Sequence, residues 1–414
     1  MEVVHVRCAG IDVHKRQVTV CLRVMEGSSK PRIVVREFGT VTRDLLSMAD
    51  WLLENEVGHV AMESTGAYWK PVYNLLEGEF EVLLANAQHM KAVPGRKTDE
   101  KDAQWIAELY AHGLLRPSFV PKLEQRALRE LTRTRTTFMG ERARLSNRIQ
   151  KILEDANIKL ASVASDVLGV SGQAILGSII DGCEDPKANS DLAQGLLRKK
   201  LPELELALQG RIRSHHRIVL AELLKQVRSL DQSVKALGEA IDAAMKESED
   251  PFEQAVGLAV TIPGVALVSA RAILSEIGTN MDQFPSAAHL CSWAGICPGN
   301  KQSAGKRLSG KTTSGNRWLK AALVNIAHSA VRQKGTYLQT LSARLSPRRG
   351  KKRAAVAVAH SILVSLYHML KDGVPYRELG AEHFDRTNQT RTLQRLTERI
   401  AALGYSVSLE AVAT

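Results

Sequence analysis

Short apolar runs and amphipathic segments alternate along the first 112 residues of the chain. Three apolar runs come first, and the later runs alternate with segments whose apolar residues recur every three or four positions, as on one face of a helix. The pattern predicts strands at 6–13, 17–25, 32–41, 59–63 and 80–85, and helices at 44–56, 71–76 and 99–112. This order predicts an α/β fold in which helices cover a sheet.

The middle of the chain carries a heptad pattern. Between positions 220 and 244, eight apolar residues are spaced alternately by three and four, which is typical of a coiled-coil seam. A weaker repeat of seven consists of Leu131, Phe138, Leu145 and Ile152. There, Arg135 and Arg142 occupy the other seam position, and the Gly- and Pro-rich segment 169–202 is predicted to reverse the chain. The seam fits an antiparallel hairpin within one chain or a dimerising arm, with the arm preferred.

Positive charge is concentrated near the C-terminal end of a chain that is long enough for two or three domains. The formal net charge is +12 for 414 residues. Residues 283–371 contain 15 Lys or Arg and no Asp or Glu, so the rest of the chain sums to −3. One block therefore carries the positive field, as expected of a surface that neutralises phosphates. A nucleic acid is the predicted partner.

The cysteines and the apolar segments favour a cytoplasmic protein. The five cysteines form no Cys-x-x-Cys pair, and Cys8 and Cys21 fall in predicted core strands, where small buried thiols are expected. Residues 1–7 do not have the pattern of a secretory signal. Residues 354–370 are uncharged, but two histidines and two serines interrupt them. This short segment predicts a buried helix rather than a membrane span.

Four carboxylates are candidate ligands of a metal ion because of their positions in the predicted strands and helices. Asp12 interrupts the first apolar run, and Glu63 ends the fourth. Asp99 and Asp102 begin the last of the helices, and their three-residue offset places them on one helix face. Each alone could be an ordinary turn or first-turn acid. Together, on three strands followed by alternating helices and strands, they match the ligand positions of a ribonuclease-H-like nuclease site, where carboxylate oxygens bind Mg²⁺.

Two further motifs lie in the basic block and just before it. Ile262-Pro263-Gly264-Val265 precedes a helix of small residues and is similar to a helix-hairpin-helix turn, which offers free N–H groups to a phosphate. Residues 299–318 place serines among Lys and Arg, with glycines at regular intervals. This segment is either a flexible loop that binds phosphates or the carrier of a serine nucleophile, and chemistry alone does not select the serine. The candidate nucleic-acid contacts are Lys301, Lys306, Arg307, Lys311, Arg317, Arg348, Arg349, Lys351, Lys352 and Arg353.

Five motifs in a fixed order carry a family resemblance. They are Gly-Ile-Asp-Val-His-Lys at 10–15, Met-Glu-Ser-Thr-Gly-Ala-Tyr-Trp at 62–69, Lys-Thr-Asp-Glu-Lys-Asp-Ala at 97–103, Ile-Pro-Gly-Val at 262–265 and Gln-Ser-Ala-Gly-Lys at 302–306. With them, the chain resembles transposases of the insertion sequence 110 family, the bridge-RNA-guided recombinases, over roughly residues 6–375.

The resemblance implies an α/β plus α architecture. A RuvC-like, ribonuclease-H-like domain would span 1–120, a helical coiled-coil arm 121–255, a mainly helical transposase domain 256–375, and a tail 376–414. The family's catalytic Asp-Glu-Asp-Asp tetrad falls on Asp12, Glu63, Asp99 and Asp102. Its catalytic serine falls on Ser303, with Ser309 and Ser314 close along the chain.

The implied activity is RNA-guided, site-specific recombination of donor and target DNA. A structured bridge RNA would pair with both DNAs, the tetrad would hold Mg²⁺, and Ser303 would form a phosphoserine link to the cut strand. The resemblance also implies a homo-oligomer, a dimer or tetramer, acting at the nucleoid in the cytoplasm and at no membrane. Two alternatives stay open at this point. One is a Mg²⁺-dependent Holliday-junction-type nuclease that leaves no covalent adduct, and the other is a non-catalytic nucleic-acid-binding protein with structural carboxylates.

Overall fold

The computed structural model describes residues 3–25, 27, 30–64, 66–85, 99–299, 301–303, 306–387 and 389–408. At 99–101, 301–303, 306–309, 385, 387 and 389–392 the description covers the backbone alone. The chain divides into two compact units, Met1–Pro121 and Lys122–Thr414. Each unit has a hydrophobic core of its own.

The first unit is a mixed five-stranded sheet with helices on both faces. Its elements are β1 (Arg7–Val13), β2 (Gln17–Val24), β3 (Arg32–Gly39), α1 (Thr42–Glu54), β4 (His59–Glu63), α2 (Trp69–Leu76), β5 (Glu81–Ala85) and α3 (Asp99–Ala111). The strand order is β3-β2-β1-β4-β5, antiparallel from β1 to β3 and parallel from β1 to β5. All the elements predicted for the first 112 residues are present, with bounds within two residues of those expected.

Alternation along β1 divides its side chains between two layers. Ile11 and the other residues of that face pack against α1 and α2, for example against Met48 and Leu76. Cys8 lies on the opposite face with Ile106 and Tyr110 of α3. Cys8 and Cys21 are buried, as predicted, and burial raises the pKa values of their thiols to about 11 and about 12.

The second unit is largely helical. Its elements are α4 (Leu123–Asp155), α5 (Leu160–Val163), α6 (Val170–Ile180), α7 (Pro186–Ser190), a 3₁₀ turn (Gly195–Lys200), α8 (Leu201–Ala207), α9 (Ser214–Glu247), α10 (Phe252–Ala259), α11 (Leu267–Ile277), α12 (Ala287–Trp293), β6 (Lys301–Ser303), β7 (Lys306–Ser309), α13 (Arg317–Ala330), α14 (Tyr337–Arg349), α15 (Lys351–Asp372), α16 (His383–Thr387) and α17 (Gln389–Ala401). The borders proposed for the arm, the transposase domain and the tail within this unit stay predictions.

The two long helices α4 and α9 pack antiparallel within one chain. Arg142 of α4 forms an ion pair with Asp231 of α9, and Arg135 lies beside Gly238. The two arginines that interrupt the first heptad repeat are therefore accommodated by an acid and by a residue without a side chain. Leu220, Leu223, Val227 and Leu230 of the seam pack into a core within this chain, so an internal hairpin uses this part of the seam. The dimerising arm and the homo-oligomer stay predictions.

The segment 169–202, expected to be a simple chain reversal, instead contains α6, α7 and a 3₁₀ turn. Its Ile175 and Ile179 share a core with Leu220 and Leu223 of α9. The segment is helical despite its Gly and Pro content, because these apolar residues are buried against the end of the long hairpin. The predicted turn is therefore a small helical cap with its own core.

Helix α15 is a central core element of the second unit. Its buried residues include Val358, Ile362, Leu363 and Leu366. Among the described residues it is the one helix whose length and composition would suit a membrane span, and half of its apolar window is buried within the protein. The burial agrees with the predicted core helix.

Candidate catalytic and nucleic-acid-binding sites

Asp12 and Glu63 lie at the same end and on the same face of the first unit's sheet. The parallel strands β1 and β4 pair Ile11 with Met62, so the following residues, Asp12 and Glu63, occupy neighbouring positions at the carboxyl ends of both strands. Each lies two residues beyond a small residue that faces α3, Gly10 in β1 and Ala61 in β4. Strand alternation therefore directs both carboxylates toward the α3 side.

Helix α3 brings Asp102 to this end of the sheet. A Cβ on Gly10 would collide with the backbone of Ala103 and Ala107, so α3 crosses β1 in close contact. Cys8 Sγ lies 3.6 Å from the carbonyl oxygen of Ala107, whereas Gly10, further along β1, also lies against Ala103, so α3 runs antiparallel to β1. The N-terminal turn of α3, with Asp102, consequently points toward the Asp12 end. Asp99 is the first residue of α3, and its side chain lies outside the described residues.

The three described acids influence one another electrostatically. Burial raises the pKa of Asp12, His14 opposes this effect, and the negative charges of Asp102 and Glu63 raise it further. His14 Nε2 lies 2.9 Å from Asp12 Oδ2. Within the described part of the chain, the three carboxylates do not all lie within 4.8 Å of one another. The structure thus gathers Asp12, Glu63 and Asp102 at one end of the sheet, while their role as metal ligands stays a prediction.

The serine proposed as nucleophile lies on a two-stranded hairpin of the second unit. Strands β6 and β7, here called the serine hairpin, pair Ser303 with Lys306 and Lys301 with Ser309. Their side chains lie outside the described residues, so the roles predicted for Ser303 and for Lys301, Lys306 and Arg307 stay predictions. Ser314 lies beyond the hairpin and is exposed.

The base of the serine hairpin is fixed by backbone contacts. Gly299 N–H donates to the carbonyl of Lys311 over 2.9 Å, and Pro298 and Thr312 form a further bridge. Lys320 Nζ donates to Thr312 Oγ1 over 2.6 Å. Gly295 and Gly315 touch so closely that a Cβ on Gly315 would collide with Gly295. These contacts hold the two strands of the loop together where they leave the helical core.

A buried ion-pair network lies beneath this base. Arg133 of α4 donates from Nε and Nη2 to the two carboxylate oxygens of Glu276 over 2.6 and 2.7 Å. Arg129 Nε lies 3.5 Å from the same carboxylate, and burial lowers the pKa of Arg129 to about 10. Asn316 Nδ2 donates to Glu276 over 2.6 Å, while its Oδ1 accepts the N–H groups of Trp318 and Leu319 and so caps α13.

The local sequence pattern does not predict this network. Its members come from α4, α11 and the residue before α13, and 143 positions separate Arg133 from Glu276. One available signal was Glu276 itself, an acid within the apolar run Ile273-Leu274-Ser275-Glu276-Ile277. The network connects one of the long helices to the segment that ends the serine hairpin.

The remaining candidate nucleic-acid contacts are exposed. Lys311 and Arg317 lie on either side of Ser314, and the Arg317 guanidinium lies 5.0 Å from the ring centre of Trp318. A second group surrounds Gly350, where α14 ends and α15 begins. It consists of Arg348, Arg349, Lys351, Lys352 and Arg353. The Pro-Gly turn between α10 and α11 packs Gly264, with φ 84°, against Ala330, and the phosphate contact predicted for it stays a prediction.

A compact His and acid group at the start of α9 serves as a helix cap. Ligand atoms of Asp155, His215 and His216 lie within 4.8 Å of one another. The backbone N–H of Arg213 donates to His216 Nδ1 over 3.3 Å, so the proton of a neutral ring lies on Nε2, 2.9 Å from Asp155 Oδ2. Both nitrogens of His216 are used, which favours capping over metal binding.

Comparison with known proteins adds two family matches. A model for DEDD transposases of the IS110 type matches residues 9–158, a range that contains all four candidate acids. A second model, described as the transposase IS116/IS110/IS902 family, matches residues 257–342, a range that contains the serine hairpin.

Two relatives are similar over different shares of the chain. A protein of Pseudomonas aeruginosa named "Probable family 20 transposase" is 24% identical over 329 residues, which cover 77% of this chain and 85% of that protein. A protein of Streptomyces coelicolor named "Insertion element IS110 uncharacterized 43.6 kDa protein" is 30% identical over 166 residues, which cover 38% of each chain.

Proposed function

Because the chain belongs to the IS110 family of transposases, which act on DNA, we propose that it is an RNA-guided, site-specific DNA recombinase. In this proposal it cuts and rejoins donor and target DNA with a Mg²⁺-dependent acidic site and a nucleophilic serine. The observation that carries it is the position of Asp12, Glu63 and Asp102 at one end of a mixed sheet.

The first unit supports assignment to the ribonuclease-H-like, RuvC-like class. Three antiparallel strands are followed by two parallel ones, and acids at the ends of β1 and β4 face a helix that carries further acids. Several carboxylates at one place repel one another unless a cation lies between them. This hard-oxygen donor set fits Mg²⁺, and Asp12, Glu63, Asp99 and Asp102 are the residues that would hold it. When bound, Mg²⁺ neutralises charge that develops on the scissile phosphate.

The chemistry assigned to the second unit is a transesterification. Ser303 Oγ loses its proton and attacks the scissile phosphorus, the serine ester bond forms, and the bond to the leaving sugar oxygen breaks as that oxygen takes a proton. In the rejoining step a hydroxyl of the partner DNA strand loses its proton and attacks the phosphorus of the phosphoserine. A DNA phosphodiester forms, the bond from phosphorus to Ser303 Oγ breaks, and Oγ regains a proton, so no ATP is needed. The positive residues of the serine hairpin and its surroundings favour attack by the alkoxide.

The proposed partners follow from the family and from charge. Donor and target DNA and a structured bridge RNA would bind the acid-free block 283–371, with base pairing supplying most of the sequence specificity. The proposal includes a homo-oligomer, a dimer or tetramer, acting at the nucleoid in the cytoplasm. The long α4–α9 hairpin is available as a rigid arm, although its seam is used internally.

A denaturing gel of labelled DNA incubated with the protein, guide RNA and Mg²⁺ tests the proposal. The unmodified protein should give a covalent protein–DNA band, and Ser303→Ala should abolish it while RNA and DNA binding persist. Ser309→Ala and Ser314→Ala are matched controls that should retain the band, whereas Asp102→Asn should remove it through loss of the metal. Nicked DNA without any adduct from the unmodified protein would instead support a hydrolytic nuclease of the Holliday-junction type.

A further inference from the structure

A cleft of about 860 Å³ lies between the base of the serine hairpin and the first half of α15. The hairpin side contributes Ile296, Pro298, Gly310, Lys311 and Thr312, and the helix side contributes Lys352, Arg353, Val356, Ala357 and His360. The helix residues are spaced so that they share one face of α15. The volume is in the range of sites that hold small organic molecules of the size of a nucleotide.

The walls of this cleft divide into an apolar floor and a cationic rim. Ile296 is buried, and Val356 and Ala357 are half-buried, so the floor offers aliphatic carbon. Lys311, Lys352 and Arg353 are exposed at the rim. Aliphatic carbon covers the face of a nucleobase favourably but gives a phosphate no partner, whereas the rim cations suit phosphates. The arrangement therefore matches a nucleotide whose base points inward.

His360 adds a polar group to the apolar wall. It follows Val356 by one helical turn, is half-buried, and burial lowers its pKa from 6.5. The neutral imidazole has one nitrogen that donates and one that accepts a hydrogen bond. Such a group suits the edge of a base, which also presents donors and acceptors.

We propose that this cleft holds an unstacked nucleotide of the DNA strand being cut, with its base on the apolar floor and its phosphates at the cationic rim. The choice of DNA rests on the function proposed above, in which Ser303 attacks the strand. From Pro298 to Ser303 the hairpin spans at most roughly 17 Å at about 3.3 Å per residue, so the captured nucleotide lies near the cut.

The test separates the base from the phosphates. Full-length protein is titrated, without guide RNA or Mg²⁺, into fluorescently labelled oligothymidylate and into a strand of abasic sites with the same number of phosphates. The normal protein should bind the base-containing strand roughly tenfold more tightly at the same salt concentration. Two variants alter the floor without changing its charge: Val356→Gln makes it polar, and Ala357→Met fills it. Both variants should lose the preference, so that the base-containing and abasic strands bind with about the same Kd.

A substitution on the same helix but outside the cleft provides a matched control. Val364 lies two turns after Val356 on the same helix, is also half-buried, and is not part of the cleft, so Val364→Gln should retain the base preference. The dependence of Kd on salt should be the same in all variants, because phosphate contacts are unchanged. Thermal melting checks that each variant is folded, and Ala357→Met gives an independent reading if Val356→Gln proves unstable.

Three outcomes would overturn the proposal. The first is equal binding of the base-containing and abasic strands, and the second is an intact base preference in both floor variants. The third is a base preference found for oligouridylate and absent for oligothymidylate, which would assign the cleft to RNA. None of these measurements requires cleavage, so loss of the covalent adduct in Ser303→Ala is judged separately from the cleft.

Discussion

Gly10 of β1 lies directly against Ala103 of α3, with no space for a Cβ between them. The absence of a side chain at Gly10 allows the helix to approach the sheet closely and sets the separation of Asp102 from Asp12. Gly10→Ala should displace α3, cost about 1–3 kcal/mol through overpacking, and lower Mg²⁺-dependent DNA cleavage. Gly58→Ala is the control, because a Cβ there meets no atom within 4 Å. Urea unfolding and a cleavage assay measure both effects, and unaltered cleavage in a folded Gly10→Ala protein would contradict this geometry.

Binding of Mg²⁺ at the acidic site should stabilise the first unit. A ligand that binds only the folded state at 100 times its Kd adds about 2.7 kcal/mol, so the melting temperature should rise with Mg²⁺ and fall when EDTA is added. Asp12→Asn and Asp102→Asn should each lose this response, because each substitution removes one negatively charged oxygen ligand of the ion. Asp50→Asn on α1 should keep it. Calorimetry at matched ionic strength gives the measurement, and a full Mg²⁺ response in Asp102→Asn would remove that residue from the site.

The buried network around Glu276 should contribute strongly to stability. Glu276→Ala leaves the guanidinium groups of Arg129 and Arg133 without their buried carboxylate, which should cost about 3–5 kcal/mol. Glu239→Gln breaks an exposed ion pair with Lys235 on α9 and should cost under about 1 kcal/mol. Denaturant titrations of the two variants compare the free energies of unfolding. Equal losses would mean that the network is solvated rather than buried.

The α4–α9 hairpin gives a fourth expectation. Leu223 is buried in a core formed within one chain, so Leu223→Ala should cost about 2–5 kcal/mol without changing the mass of the native particle. Ile218 is exposed on the same helix, and Ile218→Ala should stay within about 0.5 kcal/mol. Light scattering with urea unfolding distinguishes the cases. A fall in mass with Leu223→Ala at unchanged stability would restore the dimerising seam.

Local pattern was sufficient to predict the first unit. Strands such as β1 and β4 have uninterrupted apolar runs between clear turns, and a single acid in each run identified Asp12 and Glu63. The end and the face of the sheet on which those acids lie depend on the parallel pairing of β1 with β4. The order of the predicted elements is consistent with that pairing. The close approach of α3 was not predicted, since Gly10 is equally consistent with a turn.

Long-range pairing explains what the pattern missed in the second unit. A heptad seam has the same spacing whether its partner belongs to the same chain or to another, so the internal hairpin could not be distinguished from a dimer. The pairing of Arg142 with Asp231 and the space beside Gly238 are visible only once the two helices are aligned. The salt bridge from Arg133 to Glu276 likewise depends on a tertiary contact between distant segments.

The five cations around Gly350 have unequal electrostatic positions. Arg348 and Arg349 lie at the negative end of α14, whereas Lys351, Lys352 and Arg353 lie at the positive end of α15, whose first turn contains no acid. Each cation at the positive end of α15 costs about 0.3–1 kcal/mol, so the start of this helix is destabilised in the free protein. Added salt should therefore stabilise the start of this helix, because salt screens the unfavourable charges. The same screening should weaken the binding of a polyanion. Binding of a polyanion should therefore stabilise the first turn of α15 in addition to neutralising its three cations.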